Sequence, residues 1–278
     1  MNAPVSGTPT DRLIPLDVRL AFGLGQIAEG IKSFNFSLFA LFYYYNSVLG
    51  LSASLAGAAM GIALLFDAVT DPLTGSVSDR WRSKWGRRHP FMGVSALPLG
   101  LSFWGLFSPP EGLTQFELFA WLTIFAVATR TAITICHVPH TALRAELTSN
   151  FGERTRLVAT RQVFGYLGVL VMVLAGFGYF FADDRGGRAN AEGYSPFGLA
   201  MGVLMIVTIL VSAWGTRSQI PHLPAPAERA NGDSGIRRAL GATLGDSAGA
   251  LSPFNQTITV FLLGMIASAL IMRGEAAT

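Results

Sequence analysis

Charge is scarce in this chain, and sulfur chemistry is almost absent. Of its 278 residues only 13% are Asp, Glu, Lys or Arg, about half the share that an average soluble domain carries. A soluble protein so poor in charge would lack the side chains to cover its surface. The single cysteine, Cys136, excludes an intramolecular disulfide and any cysteine-based metal site. Also missing are a Gly-rich phosphate loop, a metal-spaced histidine pair and a nucleophile elbow. The four histidines, His89, His137, His140 and His222, do not fall into a ligand set. An enzyme reading therefore has no residues to rest on, and no cofactor is expected. Met1 to Asp17 shows no basic n-region, short apolar core and small-residue cleavage site, so the first apolar span is expected to stay in the mature protein.

What the chain has instead is apolar length. Hydrophobic residues make up 51%, and the mean hydropathy is +0.45. Apolar runs of about 20 residues predict seven spans, at Leu16 to Val48, Leu51 to Val77, Phe91 to Phe107, Phe116 to Pro139, Leu157 to Phe181, Tyr194 to Trp214 and Phe254 to Met272. The fold class that follows is all-α and polytopic, in contact with membrane lipid. Glu29 and Lys32 interrupt the first span, which must tilt, begin with an interfacial stretch, or turn those charges toward a cavity. Only a tight turn centred on Gly50 separates the first two spans, so they are expected to be antiparallel neighbours.

Basic residues collect on one side of the spans. The second connection holds Arg80, Arg82, Lys84, Arg87 and Arg88, the fourth Arg144, Arg154, Arg156 and Arg161, and the sixth Arg217, Arg229, Arg237 and Arg238. The odd connections have only Arg185 and Arg188, offset by Asp183, Asp184 and Glu192. This asymmetry predicts a cytoplasmic N-terminus in a cell (inner) membrane, and it explains the net charge of +3 without a nucleic-acid partner. The expected organisation is a cytoplasmic tail over 1–15, a six-helix bundle over 16–214, a flexible Pro/Gly/Ala/Ser-rich linker over 215–252, and a seventh span with a short tail over 253–278. A second half, present on another segment or chain, is expected to complete the pathway.

The chemistry concentrates in the second span and in the loop after it. Asp67 and Asp71, at i and i+4, share one helix face. Two carboxylates at membrane depth repel each other and call for a cation, a proton or a basic partner. In the plainer alternative Asp71 merely ends a helix beside Pro72, and Asp67 pairs with Arg130 or Arg161. Arg130, Thr134 and His137, at i, i+4 and i+7, line one face of the fourth span, and Arg130 is expected within reach of Asp67, Asp71 or Glu29. Glu29 and Lys32 either bridge each other or line a solute site. His137 is either packed or a ligand. Asp79, Arg80, Arg87 and Arg88 can pair with Glu146 and Glu153 of the next cytoplasmic loop, either as a latch or as a basic loop that only sets topology. Phe34, Phe36, Phe39, Phe42 and Tyr43 to Tyr45 are expected to face lipid and interface.

Two stretches carry a family resemblance. Gly75-Ser-Val-Ser-Asp79-Arg80 followed by Gly86-Arg87-Arg88 resembles the loop signature between the second and third helices of the major facilitator superfamily. The inserted Trp-Arg-Ser-Lys-Trp makes it similar to the glycoside-pentoside-hexuronide cation symporters, the group of melibiose permease. The run from His137 to Leu157 is similar to the same family's passage from helix four into the loop before helix five. The resemblance implies alternating-access symport of a glycoside or related small solute, a sugar above all, with Na⁺ or H⁺. It implies a cation site at Asp67, Asp71 and Thr134, with Asp67 and Asp71 as metal ligands if the ion is Na⁺. It also implies a solute site drawing on Glu29, Lys32, Arg130, His137 and Arg161, and a gating loop of Gly75, Asp79, Arg80, Gly86, Arg87, Arg88, Glu146, Glu153 and Arg154. For Arg161 a snorkelling interfacial role is the alternative. In melibiose permease acidic residues of helices one and four hold the sugar hydroxyls. Ile31 and His137 stand at those positions here, which predicts a differently built solute site. The alternatives to sugar symport are a lysolipid or other amphiphile symporter of the same superfamily, and a truncated, transport-inactive membrane protein.

Overall fold

Polar side chains at the helix starts set the boundaries. Ser52 accepts the amide of Leu55 at 3.4 Å and opens α4 (Ala53–Arg80). Thr114 and Glu117 form a reciprocal capping box that opens α6 (Gln115–Leu147), and Asn150 caps α7 (Phe151–Ala175) through the amide of Glu153. Each satisfies an amide that has no partner within its own helix. Glycines at positive φ, Gly50 (74°) and Gly86 (79°), make the turns before α4 and before α5 (His89–Leu106). The first span is built in pieces. α1 (Leu16–Leu24) stops at Gly25, α2 (Gln26–Phe36) resumes, and α3 (Leu41–Tyr43) runs into a π-helical turn at Tyr44–Val48. α7 likewise ends in a π-helical turn, Gly176–Phe180, and α8 (Tyr194–Gly215) completes the set. The computed structural model describes residues 13–36, 41–81, 83, 85–148, 150–182 and 186–222. The expected seventh span, and the expected linker beyond the short 3₁₀ turn Arg217–His222, lie outside them.

Among the described residues, four helices are long and apolar enough to cross a membrane, over Ala53–Asp79, Gln115–Leu147, Phe151–Phe180 and Ala191–Pro221. The broken first span and the 18-residue α5 pack among them. The packing pairs are α2 with α7, α4 with α6, α5 with α8, α1 with α8, and α5 with α6. Exchanging spans one, two and three with four, five and six maps these pairs onto each other, which is the pattern of an inverted repeat. Glycines permit the closest approaches. A Cβ on Gly30 would collide with the Gly165 carbonyl, and Gly100 and Gly202 stand in the same relation across α5 and α8.

Two symmetry-related helices, α4 and α7, are the least covered. Only 17% and 22% of their apolar windows are buried, against 39% for α6 and 50% for the α8 segment. The helix with the paired carboxylates is therefore open on one side.

Two expectations about individual segments change. The fourth span does not stop at Pro139. α6 continues to Leu147, so Arg144 and Glu146 sit on a helix and not in a loop. Tyr44 and Tyr45 are core residues and not interfacial ones, because each hydroxyl reaches a carbonyl at the end of α5 (Phe107 O at 3.4 Å and Leu106 O at 2.8 Å). Phe36 is buried as well, and Phe39 lies outside the described residues.

Candidate functional site

One helix organises the polar interior. Arg130, Thr134, His137 and Thr141 follow one another along α6 at steps of four, three and four, which keeps them on a single stripe. Each rung takes a group from another helix. Arg130 holds Asp67 of α4, with both Nε and a terminal guanidinium nitrogen 2.7 Å from Oδ2. Its guanidinium also lies 5.1 Å from the centre of the Phe36 ring. The Thr134 hydroxyl donates to Asp71 Oδ1 at 2.8 Å. His137 Nδ1 stands 3.7 Å from Glu29 Oε2, and an Arg161 guanidinium nitrogen of α7 donates to the Thr141 hydroxyl at 3.1 Å.

The two carboxylates of α4 are not equivalent. Asp67 is only partly exposed and its charge is matched by Arg130. Asp71 is exposed and has one neutral hydroxyl, that of Thr134 on α6, for a partner among the described residues. Asp67, Asp71 and Arg130 together leave one negative charge unmatched at this junction. Oxygen atoms are also left over, since Asp67 Oδ1 and Thr70 Oγ1 are buried without a hydrogen-bond partner. Pro72 has no N–H, so the carbonyl of Ala68 loses its usual partner one turn on. Hard monovalent cations take carboxylate, hydroxyl and carbonyl oxygens of this kind. Thr70 was not singled out in the sequence, although its spacing from Asp67 (i+3) puts it on the same face.

Glu29 pairs within α2 and also turns toward α6. Lys32 Nζ is 2.9 Å from Oε1, the Ser33 hydroxyl donates to the same oxygen at 2.8 Å, and Oε2 turns toward His137. It therefore bridges within α2 and also reaches α6. Arg161 is half-buried, with no carboxylate at ion-pair distance among the described residues.

A residue that sequence reasoning passed over holds the break in the first span. His140 stacks on Phe22 with ring centres 4.3 Å apart, and its Nε2 lies 2.9 Å from the Phe22 carbonyl. The break at Gly25 lets that carbonyl accept from a side chain. A Cβ on Gly25 would press on His140 and Ser212, so the glycine lets three helices meet there.

At the end with the basic loops, Glu146 Oε1 accepts from both Arg87 and Arg88 at 2.7 Å. Arg88 also reaches Asp79 at 2.9 Å and Ser78 at 3.4 Å. The cluster ties the end of α4 and the start of α5 to the end of α6. Gly86 supplies the turn, Gly75 lies on α4 facing Val138 of α6, and Arg80 closes α4. Among the described residues, Glu153 has no partner in the basic loop. It is buried, pairs with Arg156 at 2.9 Å and accepts the Ile14 amide at 3.4 Å, because its position in the first turn of α7 points it at the chain entering α1. Arg154 donates to the Thr148 and Ala145 carbonyls and so caps the end of α6.

Internal repeats and ionisable residues facing a bundle interior both recur among membrane transporters. The chain belongs to the family described as MFS/sugar transport protein, whose model matches residues 21–271. It is 34% identical over 204 residues to an uncharacterized symporter of Synechocystis, covering 70% of this chain and 36% of the relative. It is 24% identical over 208 residues to the isoprimeverose transporter of Lactiplantibacillus pentosus, covering 75% and 43%. With an inner membrane symporter of Escherichia coli it shares 29% identity over 154 residues, covering 54% and 32%. The chain thus spans about a third to two fifths of the length of these relatives.

Proposed function

We propose that this bundle forms the cation-binding wall of a symporter that couples the movement of a glycoside or similar polar solute to Na⁺ or H⁺. The observation that carries the reading is the charge balance between α4 and α6, where, among the described residues, Asp67 is matched, Asp71 is not, and Asp67 Oδ1 and Thr70 Oγ1 are left without a hydrogen-bond partner. One monovalent cation or one proton neutralises that junction. Asp71 is its anchor, with Asp67 Oδ1, Thr70 and Thr134 completing the oxygen shell. Glu29, Lys32, His137 and Arg161 lie next along the stripe, and donors and acceptors of both kinds suit the hydroxyls of a sugar. The names of two relatives, an isoprimeverose transporter and a putative glycoside/cation symporter, support a glycoside. The Glu146 cluster acts as the cytoplasmic latch, with the N-terminus on the same side. The further length of the relatives supports a second bundle opposite α4 and α7.

The test is thermodynamic linkage between cation and solute. The chain is reconstituted in nanodiscs, and binding of a panel of mono- and disaccharide glycosides is measured in Na⁺ and in choline, each at two pH values. At least one glycoside should bind five-fold or more tighter when the preferred cation is present, within the usual range of such coupling. A panel that binds equally under all four conditions would contradict the reading.

A further inference from the structure

Arg144 extends the polar stripe of α6 by one more step. It follows Thr141 at i+3, as His137 follows Thr134, and so falls on the same side of the helix. Arg161 of α7 reaches that side from across the gap, with a guanidinium nitrogen 3.1 Å from the Thr141 hydroxyl. The two arginines are therefore neighbours about Thr141. The charged groups that act on Arg161 most strongly are Arg144, of the same sign, and Glu29. Glu29 is already engaged by Lys32, Ser33 and His137.

Both arginines are half-buried, and neither has a carboxylate at ion-pair distance among the described residues. The acids next along the chain are committed elsewhere, Glu146 to Arg87 and Arg88 and Glu153 to Arg156. Arg144 lies in the last turn of α6, but a helix C-terminus supplies only about half a negative charge, too little for two guanidinium groups. Like charges held together away from bulk water are costly, and an anion placed between them removes that cost. Snorkelling does not account for Arg161, because its guanidinium turns to the α6 stripe while exposed Val163 and Leu170 lie on the opposite face of α7.

Charge along the stripe is thus ordered. Asp67 and Asp71 hold the negative end, Glu29, Lys32 and His137 the mixed middle, and Arg161 with Arg144 the positive end. Thr134 and Thr141 are about 10 Å apart along the helix at 1.5 Å per residue, room for a sugar-sized molecule between the cation junction and the arginines.

We propose that Arg144 and Arg161 form an oxyanion site at the end of the solute pathway, and that the solute is a polyhydroxylated acid whose carboxylate they hold. This rests on the reading of the stripe as a solute site. Arginine suits the task, since its planar guanidinium offers five N–H donors and meets a carboxylate with two parallel hydrogen bonds. Thr141 takes one donor of Arg161, and a neutral glycoside would fill the middle of the stripe while leaving both arginines without a counter-charge.

The experiment uses the chain in nanodiscs of neutral phosphatidylcholine with Na⁺ at two pH values. It measures the binding of neutral and acidic partners of matched size, namely glycerol and glycerate, xylose and xylonate, and glucose and glucuronate. At least one acid should bind about ten-fold or more tighter than its neutral partner, as a charged hydrogen-bonded contact provides. Arg144→Gln should erase that preference, and Arg144→Lys, which keeps the charge without the planar fork, should retain part of it. Removing one of two repelling charges should leave the unfolding temperature of Arg144→Gln in detergent at or above that of wild type. A lower temperature would show that Arg144 is paired within the chain and would overturn the proposal. Acids that bind no better than their neutral partners, whether or not the latter bind, would do the same. Replacing part of the phosphatidylcholine with phosphatidylglycerol should leave the acid's affinity unchanged, and a loss would give the arginines to lipid headgroups and refute the solute site. The two readings fail separately. Cation-dependent binding of neutral glycosides with no preference for acids keeps symport and removes the oxyanion site, and an Arg144-dependent acid preference that no cation affects does the reverse.

Discussion

Arg130 grips Asp67 by one oxygen only. Two of its nitrogens converge on Oδ2 at 2.7 Å, while Oδ1 is buried with no partner among the described residues. The pair therefore neutralises a charge without closing the carboxylate, which leaves Asp67 able to share a cation with Asp71. It also gives the two acids opposite mutational signatures. Asp67→Asn strands a half-buried guanidinium and should cost roughly 3 kcal/mol in stability, toward the lower end for breaking a buried pair. Asp71→Asn removes a charge that no described side chain pairs with, so it should be neutral or slightly stabilising without cation. Denaturation of the two variants in detergent checks this, and equal losses for both would contradict the charge balance.

Glu146 is the joint that two arginines share, so Glu146→Gln should release Arg87 and Arg88 together and loosen the end of the bundle where α4, α5 and α6 meet. A cysteine placed at Thr141 should then react faster with a water-soluble maleimide added from the basic side. Glu153→Gln should not have that effect, because Glu153 pairs with Arg156 and Ile14 instead. An unchanged rate in Glu146→Gln would remove the latch from the account.

Orientation is open to direct measurement. With buried Cys136 replaced by alanine, a cysteine at Trp85 should be labelled only from the cytoplasm and one at Gly187 only from the other side. The reverse pattern would invert the topology.

Glycine positions that look alike in sequence should behave differently. Gly30→Val drives a side chain into the Gly165 backbone and should cost about 2 kcal/mol or more by forcing α2 from α7. At Gly57 nothing lies within 4 Å of an added Cβ. Gly57→Ala should therefore be tolerated and gain up to about 1 kcal/mol of helix propensity. Thermal unfolding in detergent separates the two, and equal effects would contradict the packing of α2 on α7.

Much of this was legible because membrane spans announce themselves through apolar length, and stripes through helical spacing. Arg130, Thr134 and His137 could be placed on one face from numbering alone, and the structure adds Thr141 at the next step. Other features depend on where the chain breaks or bends. His140 works through a carbonyl made available by a break at Gly25, more than a hundred residues earlier, and no local pattern announces that partner. Tyr44 and Tyr45 read as interfacial until a π-turn points their hydroxyls at the end of α5. Glu153 reads as a loop acid, but its capping position ties it to the chain before α1. Thr70 could have been found from its spacing to Asp67, yet a threonine in a membrane helix is unremarkable until its hydroxyl is seen buried without a partner.

The central claim is that Asp71 is the group at which a monovalent cation or a proton binds. Infrared difference spectra of the reconstituted chain read it most directly, because they follow the carboxylate itself as Na⁺ is added or the pH is lowered. Wild type should show a carboxylate band that shifts with one of the two cations, and Asp71→Asn should lose that band while keeping the protein's helical signature. An Asp71→Asn spectrum identical to that of wild type would place the cation elsewhere and contradict the account.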